Sequence, residues 1–133
     1  MTLTITQADA MIAAGAARAH DLGIAANIAV LDAAAHLKAF ARMDGAVLGS
    51  IDLSIGKART SALFLISSEA VWDYCKPGAP AHNLEASNGG LMPFPGGLPV
   101  TVDGSVIGAI GVSGGAPSQD LDIAEAAVAA LIG

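Results

Sequence analysis

The chain has 133 residues, enough for one domain with a single hydrophobic core. Hydrophobic residues make up 53% of it and charged residues 14%, and the formal net charge of −6 argues against binding to nucleic acid or an anionic membrane surface. The single cysteine, Cys75, excludes an internal disulfide, and the N-terminus lacks the basic region of a signal peptide, so we expect a cytoplasmic protein. So much apolar surface exceeds what one small core can cover, which predicts a homo-oligomer.

The first half of the chain predicts a helix, a β-hairpin and a second helix. A capping-box pattern at Thr6-x-x-Asp9 opens the first helix, which runs to about Leu22. Strands are predicted over residues 27–32 and 37–43. Residues 50–66 are predicted to be helical because apolar side chains recur at helical spacing, at Ile51, Ile55, Ala58, Ala62 and Leu65. Lys57 and Arg59 lie off this stripe and are interpreted as part of a solvated helix face.

The second half predicts a short helix, a long loop, another hairpin and a final helix. The run Ser67-Ser68-Glu69 is predicted to cap the short helix, which runs through Tyr74. Residues 76–97 form a loop rich in proline and glycine, with a short edge strand over residues 91–94. Strands follow over residues 98–102 and 105–112. The last helix runs from Ser118, its predicted N-cap, to Ile132. Two hairpins separated by helices predict an α+β fold, an antiparallel sheet with helices packed on it.

The strand after Asp103-Gly104 is unusually rich in glycine. Asp-Gly supplies the positive φ angles of a type I′ hairpin turn, and glycines inside a strand mark a close approach by another backbone or a ligand. We therefore include Gly111 among the candidate ligand-binding residues. Residues 111–115 fit the Gly-x-Ser-x-Gly pattern, but no aspartate-then-histidine order follows, which argues against Ser113 as a nucleophile.

Several blocks of this chain resemble the GlcG/HbpS family, and they occur in the same order: Asp32 to Gly45, Lys57-Ala-Arg-Thr60, Pro95-Gly-Gly-Leu-Pro-Val100, Gly108-Ala-Ile-Gly-Val-Ser-Gly114 and Gln119-Asp120. This family is the small haem-binding or "haem-degrading" domain also found at the C-terminus of PduO-type proteins. The resemblance implies one domain over residues 1–133, with a profilin-like antiparallel sheet of about five strands flanked by helices. It also implies homo-oligomers that hold haem or a related ligand near a subunit interface.

Three histidines could supply an axial ligand to haem iron. His82 is favoured because its proline-rich loop also brings aromatic side chains, Phe94 among them, and its imidazole suits acid–base catalysis as well. His20, near the end of the first helix, is the alternative ligand, although an imidazole there also interacts favourably with the helix dipole. His36 lies beside a tight turn and is interpreted as structural.

Two charged side chains complete the candidate site. Arg42 could clamp a haem propionate or a substrate carboxylate with two hydrogen bonds, or it could pair with Asp44 or Asp52. Glu85 follows His82 by three residues, and it is either the carboxylate that orients this imidazole or an exposed loop charge.

The sequence leaves two functions open. The first is a haem-binding protein, with His82 or His20 on the iron and an apolar pocket at a subunit interface. The second is a cofactor-independent catabolic enzyme, a lyase, isomerase or hydrolase that acts on a small organic acid in the same pocket. In that case His82 and Glu85 would be catalytic and Arg42 would hold the acid.

Overall fold

The computed structural model describes residues 2–132, which form four helices, four strands and one short 3-10 helix. The elements are α1 (Ile5–Asp21), β1 (Asn27–Asp32), β2 (Leu37–Arg42), α2 (Ser50–Phe64), α3 (Ser68–Cys75), the 3-10 helix (Leu84–Ala86), β3 (Gly97–Val102), β4 (Ser105–Ser113) and α4 (Pro117–Ile132). No helix among these residues combines the length and the apolar character needed to span a bilayer.

The four strands form one antiparallel sheet in the order β2-β1-β4-β3, with α1 and α4 on one face and α2 on the other. The α+β class is therefore confirmed. The core lies between the sheet and the α1–α4 pair, where large side chains of β1 and β4 meet small and apolar side chains of the two helices. It includes Ile28, Val30, Ile110, Val112, Met11, Ile123 and Ala127.

The prediction of about five strands is wrong, because residues 91–94 do not join the sheet that residues 2–132 form. Pro93 and Pro95 lack the N–H that a strand donates. The backbone of this segment bonds to helix side chains instead: Met92 N donates to Thr60 Oγ1 at 2.9 Å, and Phe94 O accepts from Ser68 Oγ. The segment is thereby fixed across the ends of α2 and α3.

The hairpin turn predicted at Asp103-Gly104 is confirmed by the backbone angles. Asp103 and Gly104 have φ values of 51° and 79°, the left-handed conformations that a type I′ turn requires at both central positions. The first hairpin turns differently, because the Asp32 carboxylate accepts hydrogen bonds from the backbone N–H groups of Ala34 and His36. His36 therefore lies beside this turn, where its backbone N–H bonds to Asp32.

Two helix starts differ from the prediction. The capping box of α1 is formed by Thr4 and Gln7, which exchange hydrogen bonds of 2.9 and 3.1 Å, and not by Thr6 and Asp9. The last helix begins at Pro117, so Ser118 lies inside its first turn and is not the N-cap. Proline suits the first helical position, where no N–H donor is needed.

Arg18 and Asp122 link α1 to α4 by two hydrogen bonds of 2.8 and 2.9 Å. The hydrogen bond from Arg18 and its positive charge hold the pKa of Asp122 below the ordinary 3.8. The pair therefore adds stability at neutral pH, and this contribution is lost as the pH falls below that ordinary value and through the lowered pKa. Both side chains are partly solvated, which keeps the effect small.

The close approach predicted at Gly111 is confirmed, and the approaching backbone is α2 of the same chain. A methyl group at Gly111 would overlap Ser54 O and lie 2.6 Å from Ala58 N. The space that the sequence analysis assigned to a ligand or a second chain at this glycine is thus filled by the chain itself. Gly111 lets α2 pack directly on β4.

We expect Gly111→Val to lower the free energy of unfolding by about 3 kcal/mol or more, because the side chain would push α2 away from the sheet. The matched control is Gly49→Ala, where an added methyl group meets nothing within 4 Å. Urea unfolding followed by circular dichroism measures both. Equal stability of Gly111→Val and the unchanged chain would show that α2 does not pack as described.

Candidate functional site

Lys57 is buried between α2 and the end of the sheet, with its side chain 4% exposed. Its ammonium group donates to Val112 O at 2.9 Å and to Asp120 Oδ2 at 3.0 Å. This corrects the prediction that Lys57 and Arg59 lie together on a solvated helix face. Arg59 is partly buried and makes one long contact of 3.5 Å with Gly90 O.

The helix pattern misled because small residues, not large ones, make the buried face of α2. Ser54, Ala58, Ser61 and Ala62 are buried against the sheet, and the predicted stripe residue Leu65 is 59% exposed. Only small side chains fit against the glycines of β3 and β4. Lys57 belongs to this face because its aliphatic stem passes over Gly96, where a methyl group would lie 3.1 Å from Lys57 Cδ.

Asp120, the partner of Lys57, lies in the first turn of α4 and is also buried. Its second oxygen, Oδ1, accepts a hydrogen bond from Gly115 N at 2.9 Å. The carboxylate is therefore bonded on both sides, and its charge is also favourable at the N-terminal end of a helix. The pair connects α2, the end of β4 and the start of α4.

A cavity of about 300 Å³ opens beside this pair, and we call it the Lys57 cavity. Its walls are mostly apolar or backbone, with Ser113 and Ser50 as the hydroxyl groups. The lining residues are Val47, Ser50, Leu53, Lys57, Phe94, Ser113, Gly114, Gly115, Pro117 and Asp120.

A second cavity, of about 330 Å³, lies between α3, the end of α2 and the following loop. We call it the α3 cavity. Its six lining residues are almost entirely apolar: Phe64, Ile66, Val71, Tyr74, Ala81 and Leu84. Four large apolar side chains in this part of the chain are exposed. Tyr74 is a lining residue, and Leu63, Leu65 and Trp72 are next to lining residues in sequence. We call these four the α3 patch.

The structure does not bring His82 and Glu85 together as a catalytic pair. His82 is exposed in the loop directly after Ala81, and the described residues contain no ion pair between the two side chains. Glu85 instead lies near Cys75, with Oε1 buried and without a hydrogen-bond partner. Burial raises the pKa of the Cys75 thiol, and the charge of Glu85 raises it further. The thiol is therefore a buried, free group and a poor nucleophile.

The other predicted site residues are dispersed. His20 is exposed in the last turn of α1, and Arg42 is exposed at the end of β2, where it forms no ion pair with a described residue. Phe94 lines the Lys57 cavity, away from His82. Within residues 2–132, no group of three histidine, cysteine or acidic side chains could hold a metal ion.

The comparison with known proteins decides the family. The model for "Haem degrading protein HbpS-like" matches residues 3–129. The chain belongs to this family.

The chain is similar to curated proteins and to solved structures. It is 38% identical to protein GlcG of Escherichia coli K12 over 84% of this chain and 81% of GlcG. Klebsiella pneumoniae protein ORFY superposes with a TM-score of 0.97 at 32% identity, covering 99% of this chain and 92% of ORFY. A crystal structure of a PduOC:haem complex superposes with a TM-score of 0.93 at 32% identity, over 98% and 95% of the two chains.

Sequence reasoning missed the Lys57–Asp120 pair of this HbpS-like chain. A signal was present, because the chain has only six cationic side chains and Lys57 stands directly beside Ala58, one of the apolar stripe positions. A lysine next to such a stripe can bury its aliphatic stem and extend its ammonium group past the edge of the stripe. There an acidic residue in the first turn of another helix can form an ion pair with it.

We expect Lys57→Met to lower the free energy of unfolding by about 3–5 kcal/mol, because it leaves Asp120 charged, buried and unpaired. The double variant Lys57→Met/Asp120→Asn should recover part of this loss, since the amide keeps an acceptor for Gly115 N without the charge. Arg59→Met is the matched control and should change stability by less than about 1 kcal/mol. Urea unfolding of the unchanged chain, Lys57→Met, Asp120→Asn and the double variant gives the coupling energy, and a value near zero would contradict the buried pair.

Proposed function

We propose that this chain binds haem between two copies of itself, with His82 as an axial ligand of the iron. The observation that carries the proposal is the position of His82, an exposed imidazole in the loop directly after Ala81, which lines the apolar α3 cavity. A neutral imidazole is a common axial ligand, and the macrocycle needs apolar walls. The similarity to the PduOC chain, whose crystal structure is that of a complex with haem, supports haem as the bound molecule.

The residues present fit haem in chemical type. The walls of the α3 cavity are carbon-rich, and Tyr74 and Phe64 offer flat rings in its lining. His82 is not held by an ion pair with any described residue, so its ring is available to the iron. When bound, haem would supply redox-active iron, while the chain contributes the ligand, the apolar surface and the exclusion of water.

A second copy of the chain is needed because one copy covers only part of the macrocycle. The α3 cavity lies at the lower end of the size range of ligand sites, and it is open to solvent. The α3 patch leaves Leu65 59% and Tyr74 56% exposed beside it. Large apolar side chains grouped on a surface mark an interface, and a partner copy would bury them together with the outer face of the haem.

Haemin titration followed through the Soret band tests the ligand. We expect saturable binding by the unchanged chain and at least about tenfold weaker binding by His82→Ala, because the bond to iron is lost. His36→Ala is the matched control, since it removes another exposed imidazole from a turn, and it should bind as the unchanged chain does. Loss of the band in His20→Ala but not in His82→Ala would overturn the assignment to His82. A chain that shows no saturable band would overturn haem binding itself.

Light scattering tests the shared site. We expect a mass of at least twice the 13.1 kDa of one chain, and dissociation when Trp72 and Tyr74 of the α3 patch are both replaced by serine. Val47→Ser is the control, because Val47 is 65% exposed but lies at the other cavity. A monomer of 13.1 kDa at micromolar concentration would contradict the shared site.

A further inference from the structure

The Lys57 cavity contains hydrogen-bonding groups that the fold does not use. An ammonium group has three donors, and Lys57 uses two of them, to Val112 O and Asp120 Oδ2. Ser113 also lines the cavity and is 4% exposed, yet no side-chain hydrogen bond of the described residues involves its hydroxyl. Lys57 Nζ and Ser113 Oγ thus place two donors without a protein partner on the wall of one cavity, where the oxygen acceptor of a ligand could use both.

The charges around the cavity select the kind of ligand. Lys57 and Asp120 are the two ionisable residues in its lining, and at 3.0 Å they compensate each other. A charged ligand would be buried without a counter-charge of its own, and a carboxylate would also face Asp120 across the shared lysine. A neutral oxygen acceptor avoids both penalties. Such an acceptor needs only hydrogen-bond donors, which Lys57 and Ser113 supply.

The walls limit the size and the character of the rest of the molecule. Val47, Leu53, Phe94 and Pro117 offer apolar surface, and Gly114 and Gly115 leave room beside the backbone. A volume of about 300 Å³ suits a small compound. The ligand should therefore have a short alkyl or ring body with one acceptor group.

We propose that the Lys57 cavity binds a small uncharged carbonyl compound, a ketone or an aldehyde. The carbonyl oxygen accepts hydrogen bonds from Lys57 Nζ and Ser113 Oγ, and the alkyl body packs against Val47 and Phe94. Lys57 acts as an ammonium donor held by Asp120, so the carbonyl is bound and polarised without forming a covalent bond. This site is separate from the α3 cavity and does not depend on haem.

Nuclear magnetic resonance of the labelled protein tests this with methyl propyl ketone as the probe and butyrate as its charged counterpart of similar shape. We expect the amide signals of Gly114 and Gly115 to shift saturably with the ketone. Butyrate should bind at least about tenfold more weakly, because its charge is uncompensated in the cavity. Saturable shifts of equal size and affinity with butyrate would overturn the neutral-ligand assignment, and absence of any saturable shift with the ketone would overturn the site.

Two variants identify the donors. Ser113→Ala should weaken ketone binding several-fold, and Ser61→Ala is its matched control, because Ser61 Oγ also has no hydrogen-bond partner but does not line the cavity. Lys57→Met/Asp120→Asn should weaken binding about tenfold while avoiding an unpaired buried charge. If Ser113→Ala and the double variant both bind the ketone as strongly as the unchanged chain does, the assignment of the donors is overturned.

Discussion

The ion pair between Lys57 and Asp120 joins the middle of α2 to the end of β4 and the start of α4. Lys57 comes from α2 on one face of the sheet, and Asp120 comes from α4, which packs on the other face. The pair meets at the end of β4, where Val112 O and Gly115 N complete the hydrogen bonds. Because the surroundings are dry, each charge depends on the other, and the glycine turn between β4 and α4 is fixed by the same contacts.

The pair is possible because α2 lies unusually close to the sheet. Gly97 and Gly111 face α2, and a side chain at either position would overlap its backbone. The contact surface of α2 therefore consists of serine and alanine, and larger apolar residues such as Leu63 and Leu65 remain outside. The same packing thus explains two features: the buried lysine in the middle of α2, and the exposed leucines at its C-terminal end, beside the cavity where we place the haem and the second copy.

Local signals in the sequence were enough for the elements but not for the site. The strands of both hairpins and the turn at Asp103-Gly104 were predicted, because alternation and Asp-Gly turns are short-range patterns. The buried face of α2 was predicted only in part. Ala58 and Ala62 of the predicted stripe are buried, but the buried serines and Lys57 were missed, because hydrophobic periodicity selects apolar side chains. From spacing, Glu85 was either the carboxylate that orients His82 or an exposed loop charge. The structure instead places Glu85 near Cys75, with Oε1 buried, which only the tertiary structure shows.

Proton–nitrogen magnetic resonance of lysine ammonium groups measures the buried pair most directly, because each lysine gives its own signal. The chain has three lysines, and Lys38 and Lys76 are exposed. The hydrogens of the Lys57 ammonium should exchange with water far more slowly than those of the other two, and Asp120→Asn should speed this exchange. A Lys57 signal that exchanges as fast as that of Lys38 would contradict a lysine buried against Asp120 and Val112.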